Sequence, residues 1–189
     1  MKARLVLVMA ILSIAVPANS KDVPSGGACL PYGEDYAFMI GALDGWSSAC
    51  HVEQTYGVTV ALWPTTSNWP DASQLMYVTV SKKAGESLDQ FIEEDLQVFR
   101  KGNANGKIEV VPDSRSATGT LLPTRFTSGL TNGRYEAIAY AEQASVFLIF
   151  GFTAKTEKAF QSGMPAFKQL IKNYTPIDKV KHIDNAHSS

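Results

Sequence analysis

"TGTLLPTRFTSGLTNGRYEAIAYAEQASVFLIFGFTA" (residues 118–154) is the stretch whose reading decides the fold. Its last part, "SVFLIFGFTA" (145–154), is apolar at nearly every position. A strand with one wet face alternates; one without alternation is covered on both sides and belongs in the middle of a sheet. A turn at Gln143–Ala144 separates it from "RYEAIAYAE" (134–142). Before that, Asn132-Gly133 is a strong hairpin dipeptide, because both residues tolerate positive φ. It joins 134–142 to the extended run 118–130, where Pro123 marks an edge or a bulge. Three consecutive antiparallel strands are therefore expected between 118 and 154.

Moving toward the C-terminus, "KTEKAFQSGMPAFKQLIKNY" (155–174) places Phe160, Met164, Phe167, Ile171 and Tyr174 on one helical stripe. Gly163 and Pro165 interrupt it, which predicts a kink or two short helices. The remaining "TPIDKVKHIDNAHSS" (175–189) has no apolar period and is expected to be a flexible tail. Its His182, Asp184 and His187 are metal-ligand types too sparse to define a site.

Moving the other way, "KIEVV" (107–111) reads as a short strand and "ESLDQFIEEDLQVFRKG" (86–102) as an amphipathic helix. Leu88, Phe91, Ile92, Leu96 and Phe99 keep helical spacing. Ser87 and Gln90 form a capping box, and Gly102 follows basic Arg100 and Lys101 as a stop. Glu93, Glu94 and Asp95 read as a solvated helix face rather than a metal cluster. "QLMYVTVSKK" (74–83), "YGVTVALW" (56–63) and "YAFMI" (36–40) read as strands, with "GALDGWSSA" as a turn between the last two. Residues 21–35 are turn-rich and form an N-terminal arm outside the core. The strands need two covered faces, and the two helices supply the cover. The expected domain is 36–174.

At the N-terminus, basic "MKAR", apolar "LVLVMAILSIAV" (5–16) and small Ala18 and Ser20 have the layout of a signal peptide over 1–20. The apolar run falls short of the ~20 residues that a membrane span needs. Of the 17 basic and 18 acidic residues, the leader carries Lys2 and Arg4 and no acid, so the mature chain has net charge −3. That balance gives no basic face for nucleic acid. A periplasmic or secreted location is expected, with no transmembrane span after leader removal.

Export bears on "GWSSACHVEQ" (45–54), where Cys50, His51 and Glu53 stand close together. The chain has two cysteines, Cys29 and Cys50, and in an oxidising compartment they are most simply paired. A Cys–His nucleophile is the competing reading. His51 and Glu53, at i and i+2, share one face if the segment is a strand, but a closed metal site wants three or four ligands. A metal-dependent hydrolase would have to add Glu34, Asp35 or Asp44. No G-x-S-x-G, P-loop, G-x-G-x-x-G or H-E-x-x-H occurs, and no cofactor is indicated. "LWPTTSNWPD" (62–71) is the most distinctive surface candidate. Trp63 and Trp69, each before a proline, are either an aromatic platform for a partner or a lid over the core.

The order of elements, with "GW" (45–46), "YGVTVAL", "MYVTV", "SLDQFIEEDL", the meander and "AFKQLIKNY", resembles the PsbP-like superfamily. That group includes an extrinsic photosystem subunit, a nuclear Ran-binding protein and exported bacterial proteins such as DcrB. The resemblance spans 36–174 and is placed with the DcrB-like exported branch. It implies an α+β fold, an α/β/α sandwich with a mainly antiparallel sheet covered by two helices. It also implies an accessory or binding role rather than an enzyme, with another envelope or secreted protein as partner. A periplasmic toxin-neutralising or immunity protein is the alternative. No functional residue is carried over from the family.

Overall fold

The computed structural model describes residues 27–34, 36–69 and 71–177. The expected leader, residues 21–26 of the arm, Asp35, and residues 178–189 with His182, Asp184 and His187 lie outside the described residues. In chain order the elements are β1 (Phe38–Ile40), β2 (Trp46–Val52), α1 (Glu53–Tyr56), β3 (Val58–Pro64), β4 (Gln74–Lys82), α2 (Leu88–Gly102), β5 (Lys107–Arg115), β6 (Leu121–Ser128), β7 (Tyr135–Gln143), β8 (Val146–Ala154), α3 (Glu157–Lys172) and β9 (Tyr174–Pro176).

The expected meander is β6, β7 and β8, antiparallel throughout. Gln143 pairs with Val146, so Ala144 and Ser145 alone make the second turn, and Ala144 takes φ of +43°. The first connection is longer than a two-residue hairpin. It occupies 129–134, with Gly129 and Gly133 at positive φ and the Asn132 side chain accepting the Arg134 amide at 3.0 Å. Seven strands order as β2-β3-β4-β8-β7-β6-β5, which puts β8 fourth. Its two apolar faces then both meet cover, as a central strand requires.

One face carries Val60, Leu62, Met76, Val78, Phe150 and Phe152, and α3 packs Phe160, Phe167, Leu170 and Ile171 against it. On the opposite face α2 sets Phe91, Ile92 and Leu96 on Ile138, Tyr140 and Phe147, with Phe91 stacked on Phe147 at 4.5 Å. Both halves of the Ser87–Gln90 capping box are present. The architecture is thus the α/β/α sandwich expected, a mainly antiparallel sheet between two helices.

Several local expectations change. The segment read as a turn after Gly45 is the edge strand β2, paired with β3 from Trp46 to Val52. Its small and polar residues hid it, because an edge strand needs no apolar alternation to hold its ladder. "YAFMI" contributes β1, which leaves the main sheet and pairs with β9. The tail expected from 175 therefore begins inside a strand, and within the arm Cys29 and Pro31 are buried. α3 runs unbroken through Pro165. Pro165 and Gln161, whose carbonyl loses its donor, are both exposed, on the side of the helix that water can reach. Asp95 is not on a solvated face; it turns in and accepts the Tyr140 hydroxyl at 2.7 Å.

Candidate functional site

The GWSSACHVEQ segment is a staple. Cys29 and Cys50 are disulfide-bonded across 21 positions, Cα atoms 5.7 Å apart, so Cys50 offers no thiol. The bond holds the arm against the outer strand β2, where Ser48 Oγ donates to the Gly27 carbonyl at 2.9 Å. His51 takes φ of +56° and leaves the ladder, so it does not share a strand face with Glu53, which opens α1. The His51 ring lies edge-on to Tyr32, centroids 5.2 Å apart, with Nε2 3.3 Å from the Leu30 carbonyl. Among the described residues, no three His, Cys, Asp or Glu side chains gather where a metal ion could be held.

Trp63 is 6% exposed, in a cluster with Val58, Ala61, Ala72 and Leu75. Trp69 is half-buried against it, ring centroids 6.0 Å apart, and Tyr56 packs on Trp69 at 4.9 Å. This aromatic group covers the half of the sheet face that α2 leaves bare.

Between α2 and that aromatic group lies a polar cluster that reading by motif does not find. The Tyr77 hydroxyl donates to Glu136 Oε1 at 2.7 Å, and Tyr140 donates to Asp95. Burial pushes the Glu136 carboxyl up to about 7, against the Tyr77 bond, the Arg134 charge and the nearby Thr127 hydroxyl, which lower it. Burial also raises Asp95, and it raises Tyr77 and Tyr140, beside their carboxylates, well above their ordinary value. Gly151 lies opposite Tyr77 in the register, and a Cβ there would fall on the tyrosine ring. A signal was available: period two puts Glu136 on the inward face with Ile138 and Tyr140. Beyond the helix, a cleft of about 320 Å³ is lined by Asp89, Glu93, Arg100 and Arg125 over Ile92 and Val110. Its charges are of both signs, and Arg100 is already paired with Glu93 at 2.9 Å.

A second feature missed in the sequence is on the small sheet. Cys29 bridges Ile40 and Tyr32 bridges Ala37, so the arm adds a third extended segment beside β1 and β9. Phe38, Ile40 and Cys29 point inward. Leu30, Tyr32, Met39 and Ile177 point outward, exposed by 53, 67, 40 and 36%. They are four of the six exposed large hydrophobic residues among those described. Apolar side chains gathered this way mark a contact surface more than scattered ones do. Alternation inside a three-residue strand is too short to read, and the partners come from both ends of the chain.

No protein-family model matches the chain, and no curated protein matches it in sequence. Solved structures do match its shape. The solution structure of cyanobacterial PsbP (CyanoP) from Synechocystis sp. PCC 6803 aligns with a TM-score of 0.52 at 13% identity, covering 86% of this chain and 100% of that one. The fold is PsbP-like. A structure of a Mog1 point mutant matches with a TM-score of 0.46 at 12% identity, covering 75% of this chain and 92% of that one. At such identities the PsbP-like fold transfers an architecture and no residue roles.

Proposed function

We propose that this chain is a non-catalytic exported accessory module of the DcrB-like kind, which binds another envelope or secreted protein through the outer face of its small sheet. The observation that carries the reading is the gathering of Leu30, Tyr32, Met39 and Ile177 on one face. The signal-peptide layout of residues 1–20 and the Cys29–Cys50 bond support export. The PsbP-like architecture turns both helices to the core and leaves the small sheet with an apolar face turned outward.

The contact face extends past Tyr32 and His51, across α1, to Tyr56 and Trp69. Trp63 supports Trp69 from below rather than touching the partner itself. Trp69 thus stands at the rim of the binding surface, with Trp63 buried beneath it. Aromatic side chains at such a rim contribute large contact area with little entropy lost.

The test is photo-crosslinking from position 32 in envelope extract, comparing the natural chain with a Leu30→Asp, Met39→Asp double variant. One defined crosslinked partner is expected, lost in the double variant and weakened in Trp69→Ala, with the unfolding midpoint of the double variant unchanged. A crosslink pattern that the double variant leaves intact refutes the surface.

A further inference from the structure

Glu136 is surrounded by polar groups from several elements. Tyr77 on β4 donates to it, Thr127 on β6 and Arg134 just before β7 stand beside it, and Tyr140 on β7 and Asp95 on α2 complete the ring. Arg125 on β6 acts on Tyr140. Two of these groups are incompletely satisfied: Arg134 Nη1 and Thr127 Oγ1 are buried with no hydrogen-bond partner. Asp95 is carried by the helix and Glu136 by the sheet, and the Tyr140–Asp95 bond of 2.7 Å ties the one to the other. Two carboxyls in one half-buried cluster oppose each other's ionisation. When both are charged, the repulsion acts between helix and sheet.

We propose that Glu136 is a proton-operated seat for α2: protonated, it lets the helix sit down on the sheet, and ionised, it repels Asp95 and loosens the helix. The carboxyl is lifted to about 7, so the change falls in the range that an exported protein meets. Tyr77 holds the carboxyl at the sheet surface, and Gly151 makes room for Tyr77 to do so. The device lies on the sheet face that α2 covers, apart from the small sheet, and does not depend on what binds there.

The test is amide hydrogen exchange across α2, referenced to β8 in the same sample and corrected for the intrinsic pH dependence of exchange. From about pH 5.5 to about pH 8.5, relative protection of Phe91–Phe99 is expected to fall by about tenfold. That is the change produced when the seated helix holds the Glu136 proton about ten times more tightly than the loosened one. Glu136→Gln keeps α2 protected throughout. Asp95→Asn flattens the profile, because it removes the charge that ionised Glu136 repels. A flat profile in the natural chain overturns the proposal, as does a Glu136→Gln profile that falls like the natural one. If Glu136→Gln does not fold, Asp95→Asn decides: a fall as large as that of the natural chain overturns it.

Discussion

Tyr77 reaches Glu136 because Gly151 leaves space for its ring. Gly151→Ala should push the ring aside, break that hydrogen bond and lower stability by about 1–3 kcal/mol, the usual range for overpacking. Urea unfolding at an unchanged m-value would register it. Glu136 itself sets a pH dependence with a definite sign. Its carboxyl titrates at about 7 when folded, against an ordinary value of 4.5 when exposed. Between those values the folded chain holds a proton that the unfolded chain has lost. Its contribution is therefore greatest below 4.5, declines as pH rises toward 7 and is gone above, by at most about 3 kcal/mol. Subtracting the pH profile of Glu136→Gln from that of the natural chain should isolate the decline. Strand alternation made the facing of Glu136 legible. What it would meet was not, since Tyr77 lies 59 positions away.

Among the elements, α2 announced itself most fully, down to its cap. Ser87→Ala should lower stability by about 1 kcal/mol in thermal unfolding, by stranding the Gln90 amide. The disulfide was also legible, because two cysteines behind a signal-peptide layout are most simply paired. Its reduction should lower stability by roughly 3 kcal/mol, on the loop-entropy account, and a denaturant titration with and without reductant measures that. β2 and β9 escaped reading for one reason: their residues are ordinary for loops, and only a partner strand makes them strands. Pro165 misled in the opposite direction. A proline breaks a helix when the stranded carbonyl is buried, and whether it is buried depends on which face the helix turns to the core.

At the scale of the molecule, the small sheet ties both ends of the described chain together and presents the apolar face on which the binding proposal rests. The Leu30→Asp, Met39→Asp variant should keep its unfolding midpoint while losing its crosslinked partner, because those side chains fill no core. The three strands between 118 and 154, the central place of 145–154 and the capped helix α2 were determined by the sequence alone. Each follows from composition or periodicity within one short segment. The tertiary structure alone decided that Asp95 meets Tyr140 beside Glu136, that Trp63 is covered, and that Leu30, Tyr32, Met39 and Ile177 share a surface. Those neighbours are distant in the chain, and local pattern carries no information about which distant segments a fold brings into contact.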